Sequence, residues 1–109
     1  MKKIVGVASC PAGIAHTYLA AESIIKAGNK KGYTVKIETD GAGGRENTLT
    51  PEDINEAVAV IIAADTTVPM KRFDGKSLIE ISTGEAIHRA RQVIELVEKN
   101  ELEIYKYQR

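Results

Sequence analysis

The sequence predicts a three-layer α/β/α sandwich built on a four-stranded parallel sheet with the order 2-1-3-4. Three observations carry that prediction. Strand and helix patterns alternate along the chain, which implies parallel βαβ units with right-handed crossovers. The central strand candidates are short, largely β-branched apolar runs, as expected of strands covered on both faces. The first of them breaks into a small-residue loop that opens a helix, the usual entrance to a ligand crevice in such sheets. A chain of 109 residues suits one core, so a single domain over residues 1–100 is expected, followed by a polar tail or linker at 101–109.

The elements follow in order. Residues 3–8 read as a buried strand that ends at Ser9-Cys10-Pro11-Ala12-Gly13. Over residues 17–31 the small or apolar positions Ala20, Ala21, Ile24, Ile25 and Gly28 recur at helical spacing, and Gly32 stops the helix. Residues 33–39 alternate Tyr33, Val35 and Ile37 against Thr34, Lys36 and Glu38, the pattern of an edge strand with one wet face. The glycine-rich segment 40–48 reads as a loop. Thr50-Pro51-Glu52-Asp53 then predicts a helix start, with Thr50 capping the Asp53 amide, Pro51 at the first position and Leu49 stapled onto Ile54. Residues 57–64 are the central buried strand, 65–76 an irregular connection and 77–82 a fourth strand. The last helix covers 83–100, with Ile87, Ala90, Ile94 and Val97 on its buried face.

Composition excludes several classes. Fifteen basic and fifteen acidic residues give a formal net charge of zero, so no broad attraction to nucleic acid or anionic membranes is expected, although Lys71 and Arg72 form a local basic patch. The longest apolar run has eight residues, far below the ~20 that a bilayer-spanning helix needs, so no direct membrane insertion is expected. Val7-Ala8-Ser9-Cys10 imitates a lipoprotein cleavage box, but the apolar stretch before it is shorter than the ~7–15 residues of a secretory signal. The expected location is the cytoplasm. One cysteine excludes an internal disulfide and a multi-cysteine metal site, and no cofactor or metal is expected.

The chemistry concentrates in Cys10-Pro11-Ala12-Gly13-Ile14-Ala15-His16-Thr17. Backbone amides of such a loop and of the first helical turn carry partial positive charge and cradle a phosphate without a lysine. The same field favours a thiolate and makes Cys10 a usable nucleophile, to which Thr17 can donate a hydrogen bond. The plainer reading of Cys10 is a small buried hydrophobe, and its place before Pro11 and Gly13 at a helix entrance argues against that. His16 either bonds the phosphate or points outward. Asp65, at a strand's carboxyl end, either caps a turn or touches the phosphate. His88 reads as a solvated surface residue beside Glu85, Arg89 and Arg91, and Arg72 and Lys76 read as surface charges. Residues 40–44 are either a flexible connection or a second wall of a partner-binding face. Glu46 stands where a dinucleotide fingerprint would need glycine, and no Gly-Lys-Ser/Thr loop is present.

These residues resemble a known family. The Cys10–Thr17 motif with Ala20-Ala21-Glu22, then Lys36-Ile37-Glu38-Thr39, Glu46-Asn47-Thr48-Leu49-Thr50, Ala63-Ala64-Asp65 and Arg72-Phe73-Asp74-Gly75-Lys76, is similar to the fructose-type IIB component of the bacterial phosphoenolpyruvate-dependent sugar phosphotransferase system. Ala12 departs from the threonine more usual there, as in the fructose-like subgroup. The resemblance implies that Cys10 takes phosphate from a phosphohistidine of a IIA component and gives it to a sugar bound in a membrane IIC component. It also implies a fold similar to that of low-molecular-weight tyrosine phosphatases. A phosphatase of that kind is the alternative enzyme reading, but its loop runs Cys, five residues, Arg, and here His16 stands in the arginine's place. A regulatory phospho-accepting IIB-like domain is a further alternative.

Overall fold

The computed structural model describes residues 2–11 and 15–108. In chain order the elements are β1 (Lys3–Ser9), α1 (Ala15–Lys30), β2 (Thr34–Gly41), β3 (Gly44–Glu46), α2 (Pro51–Glu56), β4 (Ala57–Ala64), β5 (Ser77–Ile81), α3 (Thr83–Glu98) and β6 (Glu103–Ile104). The sheet order is β3-β2-β1-β4-β5-β6. Its four central strands are parallel and follow the expected order 2-1-3-4.

Two short antiparallel strands enlarge the predicted four-stranded sheet to six. Both escape a periodicity search because they are only three and two residues long and wholly exposed. β3 forms when the segment expected as a loop folds back on β2, pairing Thr39 with Glu46 and Gly41 with Gly44. Gly44 adopts φ +106°, a conformation that only glycine takes without cost. β2 is therefore not an edge strand. On the far side β6 pairs with β5, and Tyr105 exchanges backbone hydrogen bonds with Gly75 and Lys76. Within the segment expected as a polar tail or linker, β6 covers the outer edge of β5.

The sheet separates two apolar clusters. Ile4, Ala8, Ile37, Ile61 and Ala63 face α1 and α3, meeting Ile24 and Ile94. Val5, Val7, Val60 and Ile62 face the other side, meeting Ile54 of α2 and the fully buried Phe73. Gly6 lies mid-way along β1, where a Cβ would stand 2.3 Å from the Ile61 carbonyl oxygen, so the glycine permits the close approach of β1 and β4. In α3 the buried face is Ala86, Val93, Ile94 and Val97, while Ile87 and Ala90 are only partly covered.

The start of α2 follows its sequence. Asp53 N–H donates to Thr50 Oγ1 at 3.0 Å, Thr50 N–H returns to Asp53 Oδ2 at 2.9 Å, and Leu49 and Ile54 are buried in one cluster. Asp53 also receives Lys3 Nζ and Lys36 Nζ, each at 2.6 Å, which ties α2 to the amino-terminal ends of β1 and β2. These bonds hold its carboxyl well below the usual carboxylate range.

Glu38 and Arg72 correct the expectation of surface charge. Glu38 is 1% exposed and accepts two bonds from the Arg72 guanidinium, at 2.9 and 2.7 Å, and one from Leu49 N–H at 2.9 Å. Strict alternation fails here because the connection 65–76 folds across the face that β2 would otherwise show to water. Lys76 is also engaged, donating to the Ala57 carbonyl at 2.7 Å. Burial pushes the Glu38 carboxyl up, but the bonds from Arg72 and Leu49 outweigh it and the net displacement is downward. A depressed carboxyl stabilises the fold above its unfolded pKa, about 4.3 for Glu, and loses that contribution as pH falls through the folded value. Glu38→Gln is expected to cost about 2 kcal/mol at pH 7, below the full penalty for a broken buried pair because the Arg72 side chain is 25% exposed. Urea melts across pH are the check: the gap between wild type and variant should close on acidification.

Candidate functional site

β1 delivers Cys10 to the carboxyl edge of the sheet, between two strands that pair with it on either side. The residue is 6% exposed. Thr17, fully buried in the first turn of α1, donates its hydroxyl to Cys10 Sγ at 3.1 Å, the hydrogen bond expected from the sequence. No acidic residue stands in the first turn of α1 to oppose the positive end of the helix. A hydroxyl donor and a helix whose own first turn carries no acid both favour a sulfur anion over the neutral thiol.

The other candidates fall around this pair. Pro11 is exposed in a turn directly after Cys10, and Ala15 and His16 are exposed at the opening of α1. Ala12, Gly13 and Ile14, the middle of the expected cradle, lie outside the described residues. His88 is exposed on α3, as expected, and lines a surface groove of about 840 Å³ with Lys26, Lys30, Lys31 and Arg91. No residue of the Cys10 segment lines that groove.

A second wall comes from the ends of β4 and β5. Asp65 N–H donates to the Ser9 carbonyl at 3.0 Å, and Thr66 shares a hydroxyl–hydroxyl bond of 2.8 Å with Ser9. The Asp65 carboxylate accepts from Thr83 Oγ1 at 2.6 Å and from Thr83 N–H at 3.1 Å. Asp65 therefore caps the first turn of α3, the first of its two sequence readings. Ser82 and Glu85 complete a capping box on the same helix. The Thr83 hydroxyl and amide hold the Asp65 carboxyl below its ordinary value, and an electrostatic interaction with His16 adds to the effect. Sequence reasoning missed the Asp65–Thr83 clamp. No local pattern names Thr83 as the partner, because the two residues lie 18 apart along the chain.

Comparison with known proteins converges on one family. The family model described as PTS system, Lactose/Cellobiose specific IIB subunit, matches residues 5–96. The PTS system fructose-like EIIB component 2 of Escherichia coli K12 is 41% identical over 99 residues, covering 90% of this chain and 93% of the relative. The PTS system fructose-specific EIIB'BC component of Vibrio cholerae is 45% identical over 91 residues, 84% of this chain; the match spans only 16% of that longer protein. A crystal structure of a domain from the fructose-specific IIABC component of Borrelia burgdorferi superposes with a TM-score of 0.91 at 40% identity, covering 95% of this chain and 98% of that one. The chain thus belongs to the IIB subunit family of the sugar phosphotransferase system, in its fructose-type branch.

Proposed function

We propose that Cys10 is a phosphoryl carrier, taking phosphate from a phosphohistidine of a IIA component and passing it to fructose or a fructose-like sugar held in a membrane IIC component. The observation that carries the reading is the buried Thr17 hydroxyl directed at Cys10 Sγ, at the start of a helix with no acid in its first turn. In the first step the S–P bond forms as the P–N bond of the donor breaks, and the released imidazole takes a proton from solvent. In the second step a sugar hydroxyl oxygen bonds phosphorus, the S–P bond breaks, the thiolate returns and the hydroxyl proton leaves to solvent.

Such transfers need positioning and charge stabilisation more than covalent chemistry, and donors fixed at a strand end supply both. In this reading the backbone N–H groups that follow Pro11, which itself has none to donate, would meet the phosphoryl oxygens, and Thr17 holds the sulfur in line. His16 rather than arginine follows the loop, so no guanidinium fork grips a transition state for attack by water. That favours a carrier over a phosphatase. The names of the relatives support the partners: the Borrelia domain comes from a IIABC component and the Vibrio relative is an EIIB'BC component. No described helix is long and apolar enough to cross a membrane, which suits a domain that works at the cytoplasmic side of a separate membrane component.

Intact-protein mass spectrometry after incubation with phosphoenolpyruvate, the general phosphotransferase proteins and an active IIA should show one added phosphate on wild type and none on the folded Cys10→Ser variant. Phosphate on both, or on neither, contradicts the proposal. Thr17→Val keeps the volume and removes the donor to sulfur. It should slow phosphorylation about tenfold, the worth of one hydrogen bond to a charged group, with little change in the melting temperature. Stopped-flow transfer from phosphorylated IIA would measure it.

A further inference from the structure

Asp65 stands beside Cys10 without a part in the transfer just described. β1 and β4 run in register to Ser9 opposite Ala64, and the Asp65 N–H to Ser9 carbonyl bond extends the pairing towards the next position. Cys10 and Asp65 follow Ala8 and Ala63, which both face the α1 and α3 side of the sheet. Both lie just past the ends of β1 and β4, adjacent strands that are about 4.8 Å apart, and their hydrogen bonds turn both side chains to the α1 and α3 side. Thr17 of α1 meets Cys10 and Thr83 of α3 meets Asp65. A fixed carboxylate is therefore a neighbour of the nucleophile, and it interacts electrostatically with His16 as well.

An anion here works against holding phosphate. It repels a phosphoryl group near two negative charges more than it repels a thiolate with one. Thr83 and His16 moderate that charge without removing it. Resting on the carrier reading, we propose that Asp65 keeps the phosphoryl group on Cys10 transferable: its fixed charge raises the free energy of phosphocysteine and biases the site towards giving phosphate up. The carboxylate also occupies the Thr83 amide at the start of α3, which leaves the phosphate to the α1 side of the crevice.

The test equilibrates wild type, Asp65→Asn and Thr83→Val with the cognate IIA at a fixed ratio of its phosphorylated and free forms, and reads the fraction of phosphocysteine by intact mass. Asp65→Asn is nearly isosteric and should raise the ratio of phosphocysteine to cysteine about fivefold, the scale of one unit charge acting across about 4 Å with the screening of water. Its onward transfer to sugar should slow. Asp65→Ser, a second neutral replacement, should move the ratio in the same direction. Thr83→Val cuts a tie to α3 but keeps the charge, so its ratio should stay within about twofold of wild type, well short of the charge effect. A merely structural role for Asp65 predicts the opposite sign, because a loosened site binds phosphate less well. An unchanged or lowered ratio in Asp65→Asn, or an equal rise in Thr83→Val, overturns the inference while leaving the carrier reading intact. Absence of phosphate on wild-type Cys10 overturns both.

Discussion

The site depends on β1 being hydrogen-bonded along both edges. Its ladder to β2 runs from Lys3 opposite Thr34 to Ser9 opposite Asp40, and its ladder to β4 ends with Ser9 opposite Ala64. A strand held on both sides has no freedom to slide, because a one-residue slip would turn every side chain to the wrong face. Cys10 is therefore fixed in height and facing by backbone bonds before any side chain is considered. Parallel pairing then brings the carboxyl ends of β1, β4 and β5 to the same edge, where α1 and α3 begin. Thr17, Asp65 and Thr83 converge on that edge for the same reason.

Charge is distributed so that strong ion pairs hold the frame while Cys10 is met by a hydroxyl. Glu38 with Arg72 and Asp53 with Lys3 and Lys36 pin the connection 65–76 and α2 against the sheet face opposite α1. These pairs lie on the far side of the sheet from the crevice. In the proposed carrier the Thr17 hydroxyl favours charge at the sulfur and the Asp65 carboxylate opposes it, a balance that suits a group received and released in turn.

The parallel core was legible because its strands are long enough to show apolar runs and its helices carry caps. The alternation of patterns pointed to a parallel sheet covered on both faces, and Thr50-Pro51 placed the start of α2 at its observed position. The edges were not legible. A three-residue and a two-residue strand bury nothing, so they leave no hydrophobic period. Glu38 was misplaced because alternation reports what neighbouring residues on one strand prefer, and here a distant segment with Arg72 covers the strand. Cys10 and Thr17 were readable as local features of one loop and helix. The clamp of Asp65 on Thr83 joins residues 18 apart along the chain, and nothing in one sequence announces such a contact.

The most direct test of the central claim is a single-turnover chase. Wild-type protein carrying labelled phosphate on Cys10, freed of its donor, is mixed with membranes bearing the cognate IIC and its sugar. If Cys10 is a carrier, the label moves to the sugar and the thiol returns unmodified. Release of the label as inorganic phosphate, at the same rate with and without sugar, would contradict the account and point to a hydrolase.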